Sequence, residues 1–189
     1  KTGDIKESGV TRKEIEAKIA SVGDYVKMDF LQSCLKKQLD FDTRKFALFE
    51  LSRIYEERRM NLEAAKLIRI AADINTTYEG KMSDFIKSAG LFIKAGNFDE
   101  ADISISKALA AANNRQKVEI KMKVKNFYKN YAKDMLNKDK RKHAMEAYEK
   151  LLSLDLDSLE KKETQQGLLQ LYEKLGRIND YYSLKKTMT

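Results

Sequence analysis

The chain has 189 residues, 42% of them hydrophobic and 35% charged, with a net charge of +8 at neutral pH. That is enough apolar content for a core, and no apolar run approaches the ~20 residues of a membrane-spanning helix or sits behind a basic start as a secretory leader does. The single cysteine, Cys34, excludes an internal disulfide and points weakly to a reducing, cytoplasmic compartment, and the absence of proline leaves turns to Gly, Asn, Asp and Ser.

Residues 1–10 carry two glycines and little periodicity, so they read as a flexible N-terminal arm. A start at Lys1 without Met is compatible with a piece of a longer protein. Thr11-Arg12-Lys13-Glu14 has the form of a capping box, in which the Thr11 hydroxyl and the Glu14 carboxylate each take a first-turn N–H. A helix with Ile15, Ile19 and Val22 on its apolar stripe follows; Gly23-Asp24 turns the chain, and Tyr25, Met28, Leu31 and Leu35 continue at three- and four-residue steps. A second hairpin runs from Phe46, Leu48, Leu51, Ile54 and Tyr55 to Ala64, Leu67, Ile68 and Ala71. A third runs from Phe85, Ala89 and Phe92 through Gly96 to Ala101, Ile105, Ala108 and Leu109. The fourth, longer one sets Val124, Tyr128, Tyr131 and Met135 against Ala144, Tyr148, Leu151 and Leu152. The fifth sets Leu168, Leu169 and Tyr172 against Ile178, Tyr181 and Leu184.

One position early in each second helix recurs as Met28, Ala64, Ala101, Ala144 and Tyr181, at spacings of 36, 37, 43 and 37 residues. A period of this length predicts an all-α fold, an α-solenoid of about five antiparallel helix hairpins, occupying residues 11–189 as a single domain. The small residues at Ala64, Ala101 and Ala144 suit close helix crossings, so the crossings at Met28 and Tyr181 are expected to be looser.

The ladder Phe85, Ala89, Phe92, Gly96, Phe98, Ala101, Ile105, Ala108 resembles the tetratricopeptide-repeat (TPR) family; so do Leu51-Ser52 and Tyr55 with Ala64 and Ala71, and Leu171-Tyr172 with Gly176. The spacing is longer than that family's and its terminal proline is missing, as in longer-hairpin relatives. The resemblance implies a right-handed superhelix that binds a partner peptide or helix in a concave groove lined by the first helix of each hairpin. It places Arg53, Glu56 and Glu57 on that groove, then Ile86, Lys87, Ile93 and Lys94, then Asn126, Lys129, Asn130, Lys133 and Asn137, and finally Gln166, Gln170 and Glu173. The peptide-groove candidates are Arg53, Lys87, Lys94, Asn126, Lys129, Asn130, Lys133 and Asn137. Their amides suit a peptide backbone and their cations suit its carboxylates. Arg53 and Lys87 stand where a carboxylate clamp would need Asn, and Glu163 and Gly167 where it would need basic groups, which argues against a clamp for a C-terminal tail.

The positive charge is concentrated: Arg115 to Lys142 holds eleven basic and three acidic residues, so the remainder of the chain is neutral. Lys117, Lys121, Lys125, Lys129 and Lys133 recur every fourth residue. Like charges at that spacing cost an isolated helix about 0.2–0.5 kcal/mol per pair. Two readings stand side by side. The row is a solvated helix face, the ordinary fate of a charge run; or it binds a polyanion, nucleic acid or an anionic membrane surface, which would relieve the repulsion.

Catalytic and metal-binding signals are lacking. His143 has only Glu146 near it in sequence, no second nitrogen or sulfur ligand accompanies it, and Cys34 sits between Leu31 and Leu35 as a core residue. The glycines are isolated and form no phosphate-binding loop. Asn75-Thr76-Thr77 is formally a glycosylation acceptor, discounted for want of a secretion signal. The expectation is a non-enzymatic scaffold or adaptor without cofactor or metal, working through another protein, with nucleic acid as the alternative partner.

Overall fold

The structure, a computed structural model, describes residues 9–189. Ten α-helices and no strand lie among the described residues: α1 (Arg12–Ala20), α2 (Asp24–Leu35), α3 (Phe41–Glu57), α4 (Asn61–Ile74), α5 (Tyr78–Lys94), α6 (Phe98–Ala110), α7 (Asn114–Asn137), α8 (Arg141–Leu152), α9 (Ser158–Lys174) and α10 (Ile178–Thr187). The all-α expectation is met. Most of the expected N-terminal arm, residues 1–8, lies outside the described residues. The helices gather into two compact units, one within Lys1–Ala112 holding α1 to α6 and one within Asn113–Thr189 holding α7 to α10.

Local chemistry sets the helix starts. Thr11 and Glu14 form the expected capping box, and Asn113 with Gln116 and Asp157 with Glu160 form two more. Asp40, Thr77 and Asn97 cap α3, α5 and α6 by accepting backbone N–H groups of Thr43, Gly80 and Glu100.

The recurrence seen in the sequence has a backbone counterpart. Helices α3, α5, α7 and α9 all end in the same way, on a residue in the left-handed region: Arg59 (φ 61°), Gly96 (φ 75°), Asp139 (φ 55°) and Gly176 (φ 68°). The next residue then donates back into the helix, Met60 to Tyr55, Asn97 to Phe92, Lys140 to Met135 and Arg177 to Tyr172, at 2.8, 2.9, 2.8 and 2.8 Å. This is a Schellman closure, which satisfies the last carbonyls and reverses the chain at once. Five residues after each left-handed position comes Ala64, Ala101, Ala144 or Tyr181. The three alanines are fully buried, and Ser52 on α3 donates to the Ala64 carbonyl at 3.1 Å, a separation only small side chains permit. Met28 and Tyr181, the bulky counterparts, are only partly buried.

Within the first unit, α3 packs on α4, α4 on α5 and α5 on α6, while α1 touches both α2 and α3. Long side chains also tie alternate helices. Lys45 and Lys94 join α3 to α5 through Asp84 and Glu56, and Lys107 and Arg69 join α4 to α6 through Asp73 and Glu100. α1, α3 and α5 therefore form one layer of this unit, with α4 and α6 in the other. The core between the layers includes Leu48, Leu51, Ile54, Ile68 and Phe92. Tyr25, expected on the apolar stripe of α2, is instead 71% exposed, its ring stacked under the Arg58 guanidinium at 4.2 Å. In the second unit α7 packs on α8, α8 on α9 and α9 on α10, around Tyr128, Leu151 and Leu168.

Candidate interaction surfaces

In the first unit, the α1/α3/α5 layer carries three of the predicted groove residues, and the structure gives each a neighbour. The Arg53 guanidinium is held by Glu50 at 3.0 Å and Glu57 at 2.7 Å, and these hydrogen bonds, Glu50 first, raise its pKa further. Lys94 reaches Glu56 at 3.2 Å. Lys87 lies over the Phe49 ring, 4.9 Å from its centroid, with Lys45 at 5.4 Å from the same centroid. Two of the three cations are thus neutralised by the acids Glu50, Glu56 and Glu57 of their own face. Ile86 and Ile93, also expected on the groove, are buried at 7% and 1% exposure: α5 is packed by both α4 and α6, so its apolar arc is wider than one stripe. The sequence reading placed Phe46 in the core and passed over Phe49. Both are half-buried and, with Arg12, Asp42 and Lys45, line a cleft of about 260 Å³, Arg12 stacking on Phe46 at 4.6 Å.

In the second unit, the other five predicted groove residues share one helix. α7 is a single unbroken helix of 24 residues, twice the length of α8. At about 100° per residue, Lys129, Lys133, Asn126, Asn137 and Asn130 fall within an arc of about 100° opposite the buried Val124, Tyr128, Tyr131 and Met135. Asn126, Asn130, Lys133 and Asn137 are exposed. The same arc continues into three apolar side chains that sequence reasoning missed, Val118, Met122 and Leu136, exposed by 60%, 56% and 41%. Their spacing carried the signal, since 118, 122 and 136 fall on neither stripe that buries the core.

The lysine row is resolved differently. Each four-residue step turns about 40° around a helix, so Lys117 and Lys133 stand about 160° apart. The middle pair converges on one acid of α9: Lys125 and Lys129 meet the two carboxylate oxygens of Glu160 at 3.0 and 2.7 Å. These bonds, Lys129 first and then Lys125, together with the Asp157 N–H, hold the Glu160 carboxyl down to about 2 from an ordinary 4.5. Lys117, Lys121 and Lys133 are exposed and have no carboxylate within 4 Å among the described residues. Phe127, Tyr128 and Tyr131, which interleave with the lysines, belong to the packed side of α7, Tyr128 being fully buried.

The remaining chemical candidates are isolated. His143 is exposed and faces Glu146 at 3.8 Å. Cys34 is fully buried, and burial raises its thiol pKa. The Asn75 side chain is buried and engaged, donating to Asp84 at 3.0 Å and accepting from Thr77, so the formal glycosylation acceptor is part of a turn. Among the described residues no three His, Cys, Asp or Glu side chains cluster as a metal site, and no helix is long and apolar enough to cross a membrane.

Fold and surface together define an all-α protein of two units, within each of which successive helices pack on one another, with a polar, lysine- and amide-rich face on α7. No family model matches the chain, and no curated protein sequence matches it. Among solved structures it is similar to BtubC (BKLC) from P. vanneervenii, at 15% identity over 90% of this chain and 74% of that one, with a TM-score of 0.40. At that score the likeness carries no argument about function.

Proposed function

We propose that this chain is a non-enzymatic, cytoplasmic interaction scaffold of TPR-like helix hairpins, about five in number, which holds a peptide or helix of a partner protein. The repeat reading is supported by the four identical Schellman closures at Arg59, Gly96, Asp139 and Gly176, spaced 37, 43 and 37 residues apart like the small residues that follow them. The observation that carries the binding role is the solvent face of α7. There Asn126, Asn130 and Asn137 present amide donors and acceptors beside the unpaired Lys133, with no acidic residue of their own unit engaging that lysine among the described residues. Amides spaced along a rigid helix can match the alternating groups of a peptide backbone, and Lys133 supplies the charge that orients it. A binding role for Arg53 and Lys94 has less support, since an incoming carboxylate would have to displace Glu50, Glu57 or Glu56.

The test is a peptide-display selection against the whole chain followed by NMR mapping of the enriched sequences. Perturbation of the Asn126, Asn130 and Asn137 side-chain amides is expected, with loss of binding in Lys133→Glu. Failure to enrich any peptide would overturn the proposal. The polyanion reading is tested alongside with an RNA oligonucleotide. It has less support than peptide binding because two of its five lysines are committed to Glu160 and the others diverge around the helix.

A further inference from the structure

The first half of α7 has features that the amide face does not explain. Val118 and Met122 are among the most exposed apolar side chains of the second unit and stand one helical turn apart. At about 100° per residue Lys121 and then Lys117 lie to one side of this pair, and to the other come Glu119, paired with Arg115 at 3.4 Å, and then Lys123; all three lysines are exposed and none has a carboxylate within 4 Å among the described residues. Helices pack by seating i, i+4 ridges in each other's grooves, and an exposed i, i+4 apolar pair edged by charge is half of such a contact. The missing half follows from complementarity: an apolar stripe to cover Val118 and Met122, and carboxylates to meet Lys117, Lys121 and Lys123, the one acid among them, Glu119, being already paired with Arg115.

We propose that the segment Lys117–Lys123 of α7 is a docking site for an acidic amphipathic helix of a partner protein. This rests on the scaffold reading and names the chemistry of the partner. Binding of such a helix would remove the repulsion between Lys117 and Lys121 while taking two exposed apolar side chains out of water. A nucleic acid would satisfy only the lysines. An anionic membrane would need a broader apolar face than two side chains to insert.

The experiment measures binding of the full chain to four labelled probes by fluorescence anisotropy. They are an 18-residue peptide with Leu at i, i+3, i+4, i+7 spacing and Glu elsewhere; its scrambled isomer; the same peptide with Lys for Glu; and an RNA oligonucleotide. Sedimentation with phosphatidylserine vesicles runs in parallel. The acidic amphipathic peptide is expected to bind at least about tenfold more tightly than the other three probes. Val118→Glu/Met122→Glu should weaken it at least about tenfold, and Lys117→Glu/Lys121→Glu/Lys123→Glu should also abolish its salt dependence. All five positions are exposed, so retention of the helical circular dichroism and melting temperature serves as the folding control. Equal binding of the scrambled peptide or the RNA, pelleting with vesicles, or indifference to Val118→Glu/Met122→Glu would each overturn the docking site. Peptides enriched by display that contact the Asn126 to Asn137 face but are not acidic would overturn it while leaving the scaffold reading intact. Enrichment of no peptide at all would remove both.

Discussion

Gly176 closes α9 with φ +68°, and a Cβ built on it would meet nothing within 4 Å. Gly176→Ala therefore isolates backbone strain from steric clash. Placing an L-residue in the left-handed region costs roughly 1–2 kcal/mol, and the loss of unfolded-state freedom on going from Gly to Ala returns about 0.4–1 kcal/mol. The net expectation is destabilisation of about 1 kcal/mol, which for a chain of this size lowers the melting temperature by about 2–4 °C. Arg59 occupies the equivalent place at φ 61° with a full side chain, so Arg59→Gly should reverse the sign and stabilise by about 0.5–1 kcal/mol. Urea unfolding of both variants and the wild type, followed by far-ultraviolet circular dichroism, reads the difference as a shift in midpoint at constant slope. Equal stability of Gly176→Ala and wild type, or destabilisation by Arg59→Gly, would refute the claim that the hairpins share one strained closure.

Glu160 should behave as an acid-sensitive tie. Its carboxyl is held to about 2 against an ordinary 4.5, so its contribution to stability is complete above pH 4.5 and is lost as pH falls toward 2. Glu160→Gln should be less stable at neutral pH and flatter across that window. Lys129→Met should move the carboxyl titration upward when followed by NMR, and a Glu160 midpoint unchanged near 4.5 in wild type would refute the assignment. Ala101→Leu adds three carbons at a fully buried crossing of α5 and α6 and should cost about 1–3 kcal/mol in chemical unfolding, whereas Tyr181→Leu at the partly buried equivalent should cost less. Cys34, fully buried with its thiol pKa raised, should react with a thiol reagent only at the rate of opening in the native chain and at once in urea.

Much of the fold was legible because its determinants are local. The capping box at Thr11, the recurring small residue and most of the three- and four-residue apolar steps act within a turn or two of chain and appear in the structure where the sequence places them, whereas Tyr25 and Ile178, which continue such steps in the sequence, are exposed. Two of the four left-handed closures were also visible as Gly96 and Gly176. The other two, Arg59 and Asp139, were hidden, because there the packing of the helix pair imposes a backbone conformation that the residue type does not advertise.

The surface was less legible. Charge spacing alone made the five lysines a row, but helical geometry spreads them around α7 and a single carboxylate of α9, thirty-one residues from Lys129, claims the middle two. Arg53 and Lys94 carry the residue types of a binding groove, and their pairing with Glu50, Glu57 and Glu56 follows from where those side chains meet. Ile86 and Ile93, which the family resemblance places on the groove, are buried because α5 has a helix on each side. Helix identity and helix order follow from short-range hydrogen bonding and apolar periodicity, which the sequence by itself determines. Which polar groups stay free to bind is decided by contacts between residues distant in the chain, and only the tertiary structure supplies them.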